Sequence, residues 1–368
     1  MRIIISSNTS WNIYNFRFGF VQSLIKKGHK IFIITQSDHT DKFLKEIGCE
    51  MYNVNFKPRS LSLFNNFKIL VKYFYISRKI KPDIIFNFTI KPNIIGNLAL
   101  LFFKVEIINT ITGLGNTFIK KNLVTYFILL LYYFAFKKSK VVFFQNEYDL
   151  NFFTRIKIIK KNKCKIIPGS GINFKNFNEK FFFNEENNKI IFLYIGRMII
   201  DKGLNELIEA ANIIKKNDNN VEFWFLGGFD YSRENIYLKD KILKKNEQGI
   251  IKYFPFEQNV FKYITKVSCV VLPSYREGLP RSLLEAALLK KPVIATNVPG
   301  CNQVIINNFN GFLCDSRNII SLKDSLMKFI KLDQKTKKSM GNNHYNFVKE
   351  NYDENKVIKI YLNEIYKV

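Results

Sequence analysis

Residues 273–299 read PSYREGLPRSLLEAALLKKPVIATNVP, and their punctuation decides the fold. Val270, Val271 and Leu272 close an apolar run of strand type, and Pro273 stops it because proline has no N–H for a ladder. Ser274–Leu279 is a polar loop containing a glycine, and Pro280 suits the first position of a helix. Leu283, Leu284, Ala287 and Leu288 then recur at helical spacing, so one face is apolar. Lys290 and Lys291 complement the dipole of the last turn, Pro292 forbids continuation, and Val293, Ile294 and Ala295 begin the next buried strand. Strand, loop, helix and strand make the unit of a parallel α/β sheet.

Two carboxylates mark this unit. Glu277 lies in the loop, and Glu285 lies on the second helical turn, eight positions later. The amides of a helix N-terminus form an anion site. Glu277 and Glu285 would accept hydroxyl hydrogen bonds from a ligand whose phosphate sat on those amides, which describes a nucleotide sugar. The alternative is a surface glutamate and a helix-face glutamate.

The surroundings favour the first reading. EGLPRSLLEA resembles the E-x7-E signature of glycosyltransferases with the two-domain GT-B fold, in particular the retaining enzymes of glycosyltransferase family 4. IIFLYIGRMIIDKG, residues 190–203, resembles that family's strand followed by G-R-x4-K-G. PGSGIN at 168–173 resembles its domain-linking segment, and NVPGCNQVIINNFNGFL at 297–313 the stretch after the second strand.

The resemblance implies an α/β GT-B architecture, two Rossmann-like domains facing each other across a cleft. Residues 1–167 would form the acceptor-side domain and 168–350 the nucleotide-sugar domain, with a helix over 351–368 crossing back to the first. It implies that Arg197 and Lys202 grip the donor diphosphate, with the helix start at Gly278, Leu279 and Pro280. Glu285 would hold the ribose hydroxyls, Glu277 would sit at the donor sugar, and Phe256 near the base. Arg197, Lys202 and Glu277 would be the catalytic residues, Arg197 and Lys202 by neutralising the departing diphosphate, with retention at the anomeric carbon. The chain has no Asp-x-Asp motif, so no metal and no cofactor is expected, and no residue is identified as a catalytic base.

The 368 residues suit two domains, and 47% hydrophobic content suits packed cores. Lys plus Arg number 57 against 30 Asp plus Glu, a net charge of +27. A nucleic-acid partner, an anionic membrane surface, and a lysine-rich composition following A/T-rich codons compete to explain this. Zinc-finger spacing, an aromatic RNA-binding signature and a basic zipper are all missing from the sequence, so the membrane surface stands ahead of nucleic acid. Five scattered cysteines without a C-x-x-C suit a reducing compartment, and three dispersed histidines read as surface or loop residues. The short apolar run Ile3–Ile5 reads as a strand, not a signal peptide, giving a cytoplasmic expectation.

In the first half, MRIIIS, SNTSWNIYNFR, a helix through Leu24, and KIFIIT read as strand, loop, helix and strand. Ser6, Ser7 and Asn8 occupy the loop where many GT-B enzymes carry two glycines. Arg17 either faces the cleft, toward an acceptor phosphate, or is solvated at a helix start. Over residues 57–81, Leu63, Phe67, Leu70, Val71, Phe74 and Tyr75 make an apolar helical stripe edged by Lys68, Lys72, Arg78 and Lys79. This helix either packs on the sheet or meets lipid phosphates.

TIKPNIIGNLA, residues 89–99, resembles a segment of family members that build bacterial surface glycans on a lipid carrier. Lys91 stands nearest to where many relatives carry a histidine, as a candidate phosphate ligand. In ITGLG, residues 111–115, Gly113 and Gly115 suggest a close backbone approach beside the cleft. LVTYFILLLYYFAF, residues 123–136, is flanked by lysine pairs and is short of the roughly 20 residues that span a bilayer. It is either buried or lies in the membrane interface.

The combined expectation is transfer of a sugar from a nucleotide donor, UDP-hexose or UDP-N-acetylhexosamine, to an undecaprenyl-diphosphate-linked glycan at the anionic inner face of the membrane. The alternatives are a transferase with a soluble acceptor, or a GT-B-like epimerase or sugar-nucleotide binder without transferase activity.

Overall fold

The computed structural model describes residues 1–56, 62–114, 123–175, 189–230 and 232–366. Runs such as Ile3–Ile5, Val141–Phe144 and Val270–Leu272 are apolar on consecutive positions, as strands buried on both faces must be. They build two parallel sheets belonging to two units, Met1–Gly171 with Glu354–Val368, and Ile172–Asp353.

In the first unit the chain runs β1 (Arg2–Thr9), α1 (Ser10–Lys26), β2 (Lys30–Gln36), α2 (Asp41–Glu46), β3 (Glu50–Asn53), α3 (Leu63–Ile80) and β4 (Ile84–Phe88). A π-helical turn over Pro92–Gly96 follows, then α4 (Asn97–Ala99), β5 (Glu106–Ile111), α5 (Leu123–Phe136), β6 (Val141–Phe144), α6 (Glu147–Arg155) and β7 (Cys164–Ile166). The sheet order is β3-β2-β1-β4-β5-β6-β7. The second unit runs β8 (Ile190–Ile195), α7 (Leu204–Lys215), β9 (Val221–Leu226), α8 (Arg233–Glu247), β10 (Lys252–Phe254), α9 (Phe261–Ile264) and β11 (Cys269–Leu272). It continues through α10 (Arg281–Leu288), β12 (Val293–Thr296), β13 (Gly311–Cys314), α11 (Ile319–Lys331) and α12 (Gln334–Tyr352). Its order is β10-β9-β8-β11-β12-β13. The last helix, α13 (Glu354–Tyr366), belongs to the first unit, where Tyr361 packs against Phe20, Phe86 and Phe143 and its hydroxyl lies 3.0 Å from Thr110 Oγ1.

Both orders reverse direction at the centre, at β1/β4 and at β8/β11. In doubly wound sheets that reversal opens a crevice at the carboxyl ends of the strands, where ligands bind.

A buried polar network crosses the first unit. Tyr73 donates to Asn87 (2.8 Å), Asn87 to Asn97 (2.9 Å), and Asn109 to both Asn93 (2.9 Å) and Asn97 (3.0 Å). Ser139 donates to Asn109 (2.8 Å). These pairs satisfy side chains that would each be costly to bury alone.

The structure corrects two readings of the sequence, the loop after the first strand and the surface setting of His344. The loop after the first strand is not a loop: β1 extends to Thr9, whose hydroxyl accepts from the Asn12 amide (3.2 Å) and caps α1. On α3, Leu70 and Phe74 of the expected stripe pack against the core beside Ile69, Tyr73, Ile76 and Ile80, while Leu63, Phe67 and Tyr75 are exposed. The polar run 334–352 is a full helix, and Gly311–Cys314 is an edge strand. His344 is not a surface residue but lies wholly buried in α12, its Nδ1 3.0 Å from the Lys291 carbonyl oxygen. The helix 123–136 is buried along one face, through Thr125, Ile128, Tyr132 and Ala135, while Leu123, Tyr126 and Leu130 are exposed. Among the described residues no helix is long and apolar enough to cross a membrane.

Candidate active site

The loops leaving β8 and β11 flank the reversal point of the second sheet, so the fold alone directs attention to Gly196–Gly203 and Pro273–Pro280. They are pressed together. A Cβ on Gly203 would lie 1.9 Å from the Pro273 carbonyl oxygen, and Gly203 has φ +69°. Only glycine supplies both the left-handed conformation and the space. The Tyr275 amide donates to the Asp201 carbonyl (2.9 Å), and the Tyr275 hydroxyl to Glu206 (2.7 Å). Gly300, φ +87°, approaches from below, its would-be Cβ 2.5 Å from the Gly278 carbonyl oxygen.

This clamping brings two of the sequence candidates into contact. Lys202 Nζ forms an ion pair with Glu277 Oε1, and both side chains retain only a little exposure, 19% and 12%. Arg197 sits exposed on the first loop, its carbonyl accepting from the Tyr194 hydroxyl (2.7 Å). Burial holds the Tyr194 phenol far above its ordinary range; the Glu277 carboxylate raises it further and the Arg197 guanidinium opposes.

Pro280, expected as the first helical residue, immediately precedes α10 in an extended conformation, φ −76° and ψ 119°, and no side chain caps the helix. Having no N–H, it cannot itself contribute a donor. On α10, Glu285 accepts from Arg281 Nε (3.3 Å). Burial pushes the Glu285 carboxyl up and the Arg281 charge pulls it back. Phe256 stands 57% exposed after β10, with its Cβ 3.8 Å from the position a Gly228 Cβ would take.

Tyr275, Glu206, Tyr194 and Gly300 were missed by sequence reasoning. The only signal was their position beside the two motifs.

The candidates of the first unit fare differently. Arg17 is neither solvated nor at a helix start. It is 3% exposed in the middle of α1, its guanidinium 4.5 Å from the Phe88 ring centroid and its Nη1 donating to the Phe16 carbonyl (2.6 Å). Lys91 is half-buried and donates to the Phe56 carbonyl (2.6 Å) and to Asn66 (3.2 Å), while burial lowers its pKa. Asn8 is the last residue but one of β1 and Thr89 follows β4, at that sheet's own reversal point. Each carries a buried side-chain oxygen without a hydrogen-bond partner, and Thr89 adopts φ 68°. A non-glycine residue held there stores strain, a mark of functional sites. Gly113 has φ 105°, and Gly115 lies outside the described residues. Among the described residues no three His, Cys, Asp or Glu side chains are grouped to hold a metal ion.

Two parallel sheets of this order, with a basic glycine-flanked loop against an acidic loop at a reversal point, agree with the GT-B fold. Residues 2–146 match the family model described as Glycosyl transferase 4-like, and residues 175–347 match Glycosyl transferases group 1. Between them the two models cover most of the chain, which is a glycosyltransferase consistent with membership of glycosyltransferase family 4.

It is 29% identical, over 98% of its length and 97% of the relative's, to N,N'-diacetylbacillosaminyl-diphospho-undecaprenol alpha-1,3-N-acetylgalactosaminyltransferase of Campylobacter jejuni. It is 25% identical, over 73% of its length and 72% of the relative's, to UDP-Gal:alpha-D-GlcNAc-diphosphoundecaprenol alpha-1,3-galactosyltransferase of Escherichia coli. Among solved structures it resembles Anabaena HepE in complex with UDP and glucose, with TM-score 0.83, 13% identity and full coverage of both chains.

Proposed function

We propose that this glycosyltransferase moves a sugar from a UDP-linked hexose or N-acetylhexosamine to a glycan carried on undecaprenyl diphosphate, with retention at the anomeric carbon and at an anionic membrane surface. The observation that carries the donor site is the contact of Lys202 with Glu277 between the two loops at the β8/β11 reversal point. The lipid-carried acceptor is supported by the names of the Campylobacter and Escherichia relatives.

In this reading the Lys202 ammonium leaves Glu277 for the donor diphosphate, joined by the Arg197 guanidinium and the amides at the start of α10. These charges stabilise the electron pair that moves onto the diphosphate oxygen as the bond to the anomeric carbon breaks. They do so without a resident metal. The acceptor hydroxyl forms the new bond on the same face, and its proton leaves on the departing diphosphate, the strongest base generated there. Glu277, released from Lys202, accepts hydroxyls of the donor sugar. Glu285 accepts those of the ribose, and Phe256 lies near the base.

The test is thermal unfolding against UDP-, GDP-, ADP- and CMP-sugars without added metal, since a ligand of the folded state raises the melting temperature. A shift with a UDP-sugar that Glu285→Ala removes supports the reading. An equal shift in that variant contradicts it.

A further inference from the structure

Two features of the first unit play no part in the donor site. One is the outward face of α5, where Leu123, Tyr126, Phe127, Leu130 and Phe134 are exposed, Leu123 to 87%. No charged residue interrupts α5 from end to end. The outward stripe of α3, with Leu63, Phe64 and Phe67, adds to it on the same side of the sheet, both helices packing beside the Pro92–Gly96 turn. The other feature is an open basin of about 1130 Å³ at the C-terminal end of α5. It is lined by Lys137, Arg155, Lys157, Lys160, Lys161 and Lys163, with Tyr133 and Tyr148, and by no acidic residue. Among the described residues none of these six cations is in an ion pair. The Lys137 ammonium rests over the rings of Tyr133 and Phe134, at 4.7 and 5.1 Å from their centroids, and joins the apolar face to the basin.

We infer that α5 and this basin form the membrane-docking surface of the protein: the outward face of α5 lies in the headgroup–acyl boundary of an anionic bilayer, and the basin takes phospholipid headgroup phosphates. An exposed apolar face of this size marks an interaction site in a water-exposed protein. Helices with lysine and tyrosine beside an apolar face lie in the plane of a membrane interface. The charge selects the occupant. A second copy would set six unpaired cations against a chain of net charge +27, and a neutral partner would leave them uncompensated. Nucleic acid would use the basin but leave the apolar face in water, since protein–nucleic-acid interfaces are polar and wet. An anionic bilayer satisfies both features together. The inference rests on the proposed setting at an anionic membrane surface and names the surface that meets it; the donor and acceptor readings do not enter it.

The experiment is flotation of the full chain with phosphatidylcholine vesicles, with and without phosphatidylglycerol, at low and high salt. The vesicles contain no glycan and no nucleotide, so the result is separate from the donor and acceptor readings, and the UDP-sugar thermal shift is recorded alongside. Binding to the phosphatidylglycerol vesicles, weakened by salt, is expected. Phe127→Gln with Leu130→Gln removes it. Lys157→Glu, Lys160→Glu and Lys161→Glu together lower it at least about a hundredfold, on about fivefold per lost charge, and erase the preference for phosphatidylglycerol. All these side chains are exposed or edge the surface, so melting temperatures stay unchanged. The inference is overturned by absence of binding, by binding that neither set of variants alters, or by a basin that retains duplex DNA more tightly than vesicles.

Discussion

Replacing Glu277 by glutamine should tighten the binding of UDP while abolishing sugar transfer. The two carboxylate functions proposed for Glu277 act at different moments. Before donor binding, Glu277 holds Lys202 in a nearly buried ion pair, with 12% and 19% of the two side chains exposed. The ammonium that would meet the diphosphate must first leave that carboxylate. At an effective dielectric near 20 a close pair of charges attracts by about 4 kcal/mol, of which desolvation and side-chain ordering return most, leaving about 1–2 kcal/mol. Glu277→Gln removes this competition and one negative charge, so UDP should bind about fivefold to thirtyfold more tightly. Lys202→Met removes a charged contact worth about 1.5–3 kcal/mol and should weaken UDP by about tenfold to a hundredfold. Titration calorimetry with UDP alone measures both, because the sugar is absent and only the diphosphate side is read. Weaker UDP binding in Glu277→Gln, or unchanged binding in Lys202→Met, would refute the exchange of partners.

Three further outcomes follow from the structure. An alanine in place of a helical glycine ordinarily stabilises by about 1 kcal/mol, but a Gly341 Cβ would lie 1.9 Å from the Lys290 carbonyl oxygen. Gly341→Ala should therefore destabilise by about 1–3 kcal/mol, read from denaturant midpoints. Burial drives the His344 imidazole from its ordinary 6.5 down to about 4, so the folded chain binds fewer protons than the unfolded one between those values. This group should make stability fall as pH drops through that window, by about 3 kcal/mol in all, and a His344→Gln variant of unchanged fold should lose that contribution. Asn109→Leu would leave the buried Asn93 Oδ1 without its donor and the Ser139 hydroxyl without its acceptor, and should cost about 2–4 kcal/mol in urea unfolding.

The parallel α/β class was legible because proline and glycine punctuate it: Pro273, Pro280 and Pro292 stand at three element boundaries of a single repeat. The two loops of the donor site were legible as motifs, but their contact was not. Lys202 and Glu277 are 75 residues apart, and only the shared reversal point brings them together. Helix α3 shows why periodicity alone leaves the packed face open. Its stripe through Leu63, Phe67 and Tyr75 is as apolar as the stripe through Ile69, Tyr73 and Ile80, and sequence carries no label for which one meets the sheet. In α12 the inner stripe is Met340, His344, Val348 and Tyr352, with Gly341 beside it, too polar and too small to register as a core face. The strand Gly311–Cys314 is four residues long, below the length at which a pattern stands out. The setting of Arg17 was open for another reason. An arginine stacked on Phe88 inside a helix–sheet layer has the same sequence signature as one facing solvent.

The most direct measurement of the central claim is transfer itself. A UDP-sugar selected by the thermal panel is incubated with an undecaprenyl-diphosphate-linked glycan in anionic vesicles, and the anomeric configuration of the product is read by proton NMR. The account predicts a glycolipid one sugar longer, with the donor's anomeric configuration kept, and none formed by Glu285→Ala. An inverted product would contradict the proposed chemistry, and transfer confined to soluble acceptors would contradict the proposed acceptor.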